Sequence, residues 1–302
     1  MKTDRKTRPI SPKPAWLKKR LPTGPAYESV RAMIKKGSLH TVCQEAKCPN
    51  QWECFSHKTA TFLILGARCT RTCRFCAVEH GPAGILDEQE PQRVAAAAAA
   101  LELKYVVVTS VTRDDLDDGG ASVFADTIRQ LRDHIPDVKI EVLVPDFAGS
   151  REALERVLAA GPNVLNHNLE TVPSLYPVVR PEAIYSRSLK LLKTAARLAP
   201  AIPTKSGLML GLGETDDEIA RTLSDLLTVG CKMLTLGQYL QPTQAHLPVE
   251  KYIEPEHFDR WRQKALDAGF EQVASGPFVR SSYHAHTLYA ERETHVNHLS
   301  EV

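Results

Sequence analysis

The sequence predicts an α/β fold, a partial (β/α)6 TIM-like barrel with N-terminal and C-terminal extensions. After residue 60, apolar segments rich in β-branched residues alternate with amphipathic segments of helical periodicity. The apolar segments are nearly continuous, as expected of parallel strands that are buried on both faces. Polar residues gather where these segments end, which is where the strands of a barrel open onto one mouth.

Six segments have the character of buried strands. They are TFLILG (61–66), YVVVTSV (105–111), VKIEVLV (138–144), NVLNHNL (163–169), SGLMLGLG (206–213) and KMLTLGQYL (232–240). Strands that alternate with helices pair in parallel through right-handed crossovers. An open doubly wound sheet is the alternative, but no GxGxxG motif follows the first strand, so a Rossmann dinucleotide site is not expected.

Five further segments have helical periodicity. They are VAAAAAALEL (94–103), ASVFADTIRQLRDHI (121–135), REALERVLAAG (151–161), TDDEIARTLSDLLTVG (215–230) and EPEHFDRWRQKALDAG (254–269). Thr215 and Glu218 have the spacing of a capping box, which predicts a helix that begins there.

The chain divides into four predicted regions. A mobile basic arm (1–20) precedes an N-terminal extension (21–60), the barrel core (61–255), and a C-terminal helix with its extension (256–302). The arm contains Asp4 and few serines, which argues against a targeting peptide. The irregularly spaced histidines near the C-terminus predict a solvated tail rather than a metal-binding segment.

Charge and hydropathy indicate a soluble, cytoplasmic protein. The net charge is +2, from 38 basic and 36 acidic residues, so neither a nucleic acid nor an anionic membrane is indicated as a partner. No apolar run is long enough to span a membrane. Six of the seven cysteines lie between positions 43 and 76, and such clustering indicates a metal site rather than disulfides. Cys231 stands apart and is expected in the core.

The downstream cysteines, Cys69, Cys73 and Cys76, form a CxxxCxxC motif directly after the first predicted strand. Three thiols are one ligand short of a tetrahedral site. Zinc with His80 as its fourth ligand is one interpretation. The other is a [4Fe–4S] cluster in which one iron keeps an open coordination position for a substrate.

The upstream cysteines, Cys43, Cys48 and Cys54, form a CxxxxCxxxxxC motif. A disulfide framework leaves one of them unpaired, and a zinc site needs a donor from elsewhere in the chain. Two sets that are each one ligand short are better explained by two separate clusters than by one site with six thiolates.

The CxxxCxxC motif, with Phe75 before its last cysteine, resembles the signature of the radical S-adenosylmethionine (SAM) superfamily. The segment GLMLGLGE (207–214) is similar to the GxIxGxxE motif of that superfamily, with Met209 in place of isoleucine and Gly211 as the second glycine. The resemblance implies SAM and a [4Fe–4S] cluster as cofactors, with Met209 and Gly211 beside the adenine. It also implies that the cluster cleaves SAM to a 5′-deoxyadenosyl radical.

Within that superfamily, the order of the two cysteine motifs resembles the lipoyl synthase family. The segments GPFVRSSYHA (276–285), TSVTRDDLDDGGA (109–121) and NHNLETVP (166–173) are also similar to that family, and the resemblance extends over roughly residues 20–290. It implies two [4Fe–4S] clusters. The downstream cysteines hold the radical-generating cluster, and the upstream cysteines with Ser282 hold an auxiliary cluster. That auxiliary cluster supplies the two sulfur atoms inserted at C6 and C8 of a protein-bound octanoyl chain.

Four further polar residues are candidates for SAM contacts. Asn168 and Glu170 end the fourth predicted strand, where they are expected to meet the ribose hydroxyls or the methionyl ammonium group. Lys205 and Arg180 are expected to pair with the methionyl carboxylate. Ordinary ion pairing at the barrel mouth is the alternative for each of them.

The resemblance also implies partners. These are octanoylated lipoyl carrier domains, such as 2-oxoacid dehydrogenase E2 subunits and the glycine cleavage H protein, a reductant such as flavodoxin or ferredoxin, and a carrier that repairs the consumed cluster. Two alternatives remain at this point. One is another two-cluster radical enzyme, such as a methylthiotransferase, which the balanced charge disfavours. The other is a non-catalytic iron–sulfur or zinc protein.

Overall fold

The computed structural model describes residues 12–18, 25–56 and 60–300. Strands in these ranges are β1 (His40–Thr41), β2 (Thr61–Ile64), β3 (Arg68–Cys69), β4 (Glu79–His80), β5 (Tyr105–Ser110), β6 (Lys139–Leu143), β7 (Val164–Asn166), β8 (Thr204–Leu210), β9 (Met233–Gln238) and β10 (Gln272–Gly276). The α-helices are α1 (Pro25–Lys36), α2 (Val42–Glu45), α3 (Gln51–Ser56), α4 (Glu90–Ala100), α5 (Ala121–His134), α6 (Arg151–Ala159), α7 (Tyr176–Val179), α8 (Tyr185–Leu198), α9 (Asp216–Thr228), α10 (Pro255–Ala268) and α11 (Ala285–Ser300). None of the helices in these ranges has the length and apolar character needed to cross a membrane.

One parallel sheet organises the chain. Its strand order is β1-β2-β5-β6-β7-β8-β9-β10, and every neighbouring pair is parallel except the edge pair of β1 and β2. Within the described part of the chain no hydrogen bonds join β1 to β10, so the sheet is open. The predicted α/β class with a partial barrel is therefore confirmed, and all six predicted strands are present.

Two strands of the sheet were not predicted. β10 pairs with β9 over its full length, from Gln272 to Gly276, yet only Val273 of this strand is buried. β1 contributes two residues to the edge of the sheet. Neither segment has the apolar run or the alternation that marks a strand in the sequence, because main-chain pairing rather than side-chain burial holds it in place.

The helices pack their apolar stripes against the sheet. On α5, the side chains of Phe124, Ile128 and Leu131 are fully buried. The capping box of α9 is present as predicted, since the Thr215 hydroxyl accepts a hydrogen bond from the Glu218 amide and the Glu218 carboxylate accepts one from the Thr215 amide. Helix α8 lacks such a signal and was not predicted.

The N-terminal extension is folded against the first strands. The ring of Tyr27 on α1 stacks on Trp52 of α3 at 4.5 Å between centroids, and Phe55 is fully buried. Most of the predicted mobile arm (1–20) lies outside the described residues. Residues 15–17 of that segment form a 3-10 turn whose Leu17 side chain is buried.

The C-terminal segment is helical, and the expectation of a solvated tail was wrong. Leu288 and Tyr289 of α11 are buried against Val164 and Met233. Those two residues begin β7 and β9, so α11 packs at the N-terminal ends of the strands. Among the described side chains of α11, only these two and Ala285 are buried, which is too short a pattern to recognise in the sequence.

The residues between β10 and α11 therefore run from one end of the sheet to the other. Strand β10 ends at Gly276, at the carboxyl ends of the parallel strands, and α11 begins at Ala285, near the opposite ends. We call residues 277–284 the crossing segment. It contains the RSSY sequence that the resemblance singled out.

Candidate functional site

A cavity of about 520 Å³ opens at the carboxyl ends of the strands, and both cysteine motifs line it. All the cysteines in the described ranges are free thiols. Of the predicted site residues, the cavity brings together Cys43, Cys48, Cys54, Cys69, Phe75, Cys73, Cys76, Asn168, Glu170, Arg180, Met209 and Ser282. Lys205 and Gly211 lie outside its lining.

The loop that carries the downstream cysteines begins directly after β2. Leu65 and Gly66 have positive φ angles of 71° and 91°, which turn the chain at the end of the strand. The amide of Thr112 donates a hydrogen bond to the Cys69 sulfur at 3.3 Å. The Nε2 atom of His246 lies 2.9 Å from the Cys76 carbonyl oxygen. Main-chain and side-chain contacts thus fix both ends of the cysteine motif.

A buried arginine holds the middle of the same loop. Arg71 donates two hydrogen bonds to Asp114, at 2.7 and 2.8 Å, and one to Asp146 at 2.6 Å. Burial alone raises the pKa of Asp146, but the hydrogen bond and charge of Arg71 outweigh it and hold that pKa below its ordinary value. Asp114 belongs to the aspartate-rich segment that follows β5, so this aspartate anchors the loop.

The upstream cysteines lie on and between two short helices. Cys43 belongs to α2, Cys54 belongs to α3, and Cys48 lies in the turn between them. The Thr41 hydroxyl caps α2 by accepting a hydrogen bond from the Gln44 amide. The Cys48 amide donates to the Cys43 carbonyl at 3.1 Å, which closes the turn.

The crossing segment lies against these two helices. The Asn50 side-chain amide donates to the Phe278 carbonyl at 2.7 Å, and the Tyr283 hydroxyl donates to the Glu53 carboxylate at 2.6 Å. Ser282, next to Tyr283, lines the same cavity as the upstream cysteines. Ser282 and the upstream cysteines thus line one cavity, and the role of Ser282 as a fourth ligand stays a prediction.

Electrostatic interactions divide the six thiols into two sets. Burial raises the pKa of Cys43, and the neighbouring Cys48 and Cys54 raise it further. Burial likewise raises the pKa of Cys76 to about 12, with additional contributions from Cys73 and Cys69. The thiols within each set of three therefore lie close enough to influence one another.

The donor chemistry of the two sets fits iron–sulfur clusters. Sulfur donors predominate in both sets, and thiolates are the common ligands of such clusters. Burial raises the pKa of Cys73 to about 11, so binding of iron must release the thiol protons. No group of three or more His, Cys, Asp or Glu side chains in the described ranges is arranged to hold a single metal ion.

Polar residues beside the downstream cysteines fit a polar ligand. Asn168 donates to the Glu170 carboxylate at 3.0 Å, and Arg180 donates to the Asn168 carbonyl at 2.8 Å. The Asn168 Oδ1 and Arg180 Nε atoms are buried without a hydrogen-bond partner among the described residues. Since buried polar atoms are rarely left unpaired, these two atoms are suited to a ligand in the cavity. Burial raises the pKa of Glu170, although Arg180 and Asn168 act in the opposite direction.

Lys205 and Gly211 have other surroundings. The Lys205 ammonium is fully buried and contacts the Glu141 carboxylate and the Ser281 carbonyl. Its pairing with a methionyl carboxylate stays a prediction, and these contacts favour a different role. Gly211 has a φ angle of 98°, and a side chain there would collide with the Lys251 carbonyl, so it shapes the turn after β8.

Several residues of the site were not assigned from the sequence. Arg280 lines the cavity; burial lowers its pKa, although the charges of Cys48 and Glu170 act in the opposite direction. Its place in the RSSY sequence was the available signal. Glu141, the partner of Lys205, was also not assigned. The available signal was that an acidic residue interrupts the apolar strand VKIEVLV.

Comparisons with known proteins identify the family of this chain. The profile of the Radical SAM superfamily matches residues 63–226, and that of the N-terminal domain of lipoyl synthase of the Radical SAM family matches residues 2–48. Two solved structures share the fold alone. Methylornithine synthase has a TM-score of 0.52 at 15% identity and covers 81% of this chain and 73% of that chain. Streptococcus suis SuiB, bound to S-adenosylmethionine, has a TM-score of 0.55 at 11% identity, with coverages of 72% and 51%.

Close relatives decide the family. A lipoyl synthase from Desulfotalea psychrophila is 56% identical over 281 residues, which are 93% of this chain and 94% of the relative. One from Rubrobacter xylanophilus is 54% identical over 274 residues, which are 91% and 85% of the two chains. The chain belongs to the lipoyl synthase family. Membership in the lipoyl synthase family confirms the predicted radical SAM enzyme class, with [4Fe–4S] clusters and SAM as cofactors.

Proposed function

We propose that this member of the lipoyl synthase family inserts sulfur at C6 and C8 of an octanoyl chain that is attached to a carrier protein. One observation carries the proposal: two separate three-cysteine sets and Ser282 converge on a single cavity. Bound there, SAM and the two iron–sulfur clusters would supply radical hydrogen abstraction and the sulfur atoms.

The downstream cysteines, Cys69, Cys73 and Cys76, are the proposed ligands of the cluster that binds SAM. Asn168, Glu170 and Arg180 lie beside them, with two polar atoms that lack partners in the described residues. We assign Glu170 and the Asn168 oxygen to the ammonium or ribose hydroxyls of SAM, and the Arg180 Nε donor to its carboxylate. Phe75 and Met209 line the same cavity and supply apolar contacts.

The upstream cysteines, Cys43, Cys48 and Cys54, are the proposed ligands of the sulfur-donating cluster, with Ser282 as the fourth. Iron in such clusters prefers soft thiolates to a hard alkoxide oxygen. A serine ligand can therefore leave more readily than a cysteine when the cluster is consumed. The hydrogen bond from Tyr283 to Glu53 holds the serine next to this set.

The cavity between the two sets also suits an alkyl chain. Val111, Leu143 and Leu240 line it together with the polar residues. An apolar wall excludes water from the carbon atoms that react and offers the octanoyl chain a favourable environment. The C6 and C8 positions would thus lie between the source of the radical and the source of the sulfur.

The partners follow from this chemistry. Octanoylated lipoyl carrier domains, E2 subunits and the glycine cleavage H protein among them, are the proposed substrates. Flavodoxin or ferredoxin is the proposed reductant, and a separate carrier restores the consumed cluster. Free cysteines throughout the described residues support a reducing compartment, for which we propose the bacterial cytoplasm.

The proposal is tested on anaerobically reconstituted protein. We expect about eight irons per chain, and 5′-deoxyadenosine with thiolated peptide when SAM, a reductant and an octanoyl-lysine peptide are supplied. Ser282→Ala is the matched variant, because it keeps all six cysteines. It is expected to cleave SAM without completing sulfur insertion. A protein with both clusters that leaves the peptide as unchanged octanoyl-lysine contradicts the proposal.

A further inference from the structure

A buried ion pair lies on the strands beneath the cavity. The Lys205 Nζ atom on β8 is 2.9 and 3.1 Å from the two carboxylate oxygens of Glu141 on β6, and both side chains are fully buried. Glu141 also accepts hydrogen bonds from the Tyr105 hydroxyl at 2.7 Å and the Asn166 amide at 2.9 Å. Four neighbouring strands, β5 to β8, thus fix the carboxylate and, through it, the ammonium.

The remaining hydrogen bond of the ammonium reaches the crossing segment. Lys205 Nζ donates to the Ser281 carbonyl at 2.6 Å, in the residue before the proposed ligand Ser282. A hydrogen bond from a charged donor is among the stronger ones in proteins. Nearby, the Val279 carbonyl rests directly on Gly237 of β9, so the sheet supports the crossing segment at two points.

The ion pair is poorly explained by stability alone. Two apolar residues of similar size commonly replace a buried ion pair without loss of stability, because burying the charges costs about as much as their attraction returns. What an apolar pair cannot do is present an N–H group to a main-chain carbonyl at a fixed place. The rigid strands β6 and β8 make this placement accurate.

We propose that Lys205, oriented by Glu141, is a positioning residue for Ser282. By holding the Ser281 carbonyl, it sets the place of the Ser282 hydroxyl against the upstream cysteines. This assignment gives Lys205 a role in the sulfur-inserting half of the reaction in place of the methionyl carboxylate contact. It rests on the proposed role of Ser282 as a cluster ligand.

The test compares Lys205→Met with the double variant Lys205→Met/Glu141→Gln in the reconstituted full chain. The double variant removes both charges, so no uncompensated charge is left in the interior. Lys232→Met is the matched control, because Lys232 forms a partly exposed ion pair with Glu271, which lies outside the crossing segment. Hydrogen exchange of residues 277–284, the KM for SAM, and the ratio of thiolated peptide to 5′-deoxyadenosine are measured for each.

We expect exchange of residues 277–284 to be about tenfold faster or more in both Lys205 variants, from the loss of a charged hydrogen bond. The ratio of thiolated peptide to 5′-deoxyadenosine is expected to fall, while the KM for SAM stays near its original value. The control is expected to match the unmodified chain. If Lys205→Met does not fold, the double variant alone decides.

Two results overturn the inference. One is unchanged exchange of residues 277–284 with an unchanged product ratio in the double variant. The other is a raised KM for SAM with no change in the product ratio, which returns Lys205 to the SAM site. The Ser282→Ala variant distinguishes an error in the positioning role of Lys205 from an error in the proposed function. If Ser282→Ala still inserts sulfur normally, the ligand role of Ser282 is wrong, whereas if only the Lys205 variants behave normally, the positioning role alone is wrong.

Discussion

Replacing Gly237 with alanine should separate SAM cleavage from sulfur insertion. Gly237 lies on β9, and an added Cβ atom would be 2.1 Å from the Val279 carbonyl oxygen and 3.2 Å from an Arg280 nitrogen. The carbonyl belongs to the main chain, so no change of rotamer can relieve the collision. The crossing segment itself has to move by about 1.3 Å to restore the 3.4 Å of ordinary van der Waals contact.

A shift of this size is large for the contacts on either side. The carbonyls of Phe278 and Ser281 accept hydrogen bonds of 2.7 and 2.6 Å, which weaken over a fraction of that distance. Overpacking of this kind costs about 1–3 kcal/mol of stability. A misplacement of about 1 Å at a reacting centre can cost roughly 100-fold in rate, so we expect sulfur insertion to fall by about 10–100-fold. The three atoms nearest the added Cβ all belong to Val279 and Arg280 rather than to the downstream cysteines, so 5′-deoxyadenosine formation should persist.

Gly276→Ala provides a matched control. Gly276 pairs with Gly237 across β9 and β10, but a Cβ atom there would lie 3.5 Å from the Val279 side chain, which is ordinary contact. The assay quantifies thiolated peptide, 5′-deoxyadenosine and iron per chain for both variants. The reasoning is refuted if Gly237→Ala inserts sulfur at the original rate, or if Gly276→Ala is equally impaired.

Three other predictions concern the cysteines, the downstream loop and pH. Cys69→Ala should abolish 5′-deoxyadenosine formation. Cys48→Ala should preserve that reaction but stop sulfur insertion. If Cys48→Ala lost SAM cleavage while its downstream cluster stayed intact, the assignment of separate roles to the two cysteine sets would be wrong. Arg71→Met should lower the free energy of unfolding by about 3–5 kcal/mol, because it leaves Asp146 buried without its main partner. Arg68→Met is the control, because Arg68 forms an exposed ion pair with Glu79 in the same loop. Urea unfolding is expected to show a loss of about 1 kcal/mol or less in its free energy of unfolding. Burial lowers the pKa of His167 from 6.5 to about 4, so its neutral ring contributes stability that is complete above pH 6.5 and is lost as the pH falls toward 4. We expect this group to lower the free energy of unfolding by about 2 kcal/mol between about pH 7 and pH 5, and His167→Gln to show a correspondingly smaller decrease.

The strands that were predicted from the sequence are those whose side chains are buried on both faces. β5 begins with the apolar residues YVVV, and all six residues of β9 are buried, since helices cover one face of the sheet and the interior covers the other. β10 was missed because its QVASG segment pairs through the main chain and buries only Val273. Helix α11 was missed because, among its described side chains, only Ala285, Leu288 and Tyr289 are buried.

The composition of the site could be predicted, but its arrangement could not. Cysteine spacing marks two sets of three, because ligands of one cluster lie close together along the chain. The convergence of both sets with Ser282 depends on contacts between distant residues, such as Tyr283 with Glu53, and no local pattern encodes these. Lys205 shows the same limit. The sequence reveals a cation at the start of a strand, but its partners Glu141 and Ser281 are 64 and 76 positions away.

The crossing segment also orders events during synthesis of the chain. The cysteines of α2 and α3 leave the ribosome early, but Tyr283 is made 230 residues after its partner Glu53. At roughly 5–20 residues per second, that interval is about 12–46 s. A nascent chain therefore exposes three thiols long before the proposed serine ligand is made. With Ser282 as the proposed fourth ligand, the complete ligand set of the auxiliary cluster exists only once residue 282 has been synthesised, late in translation.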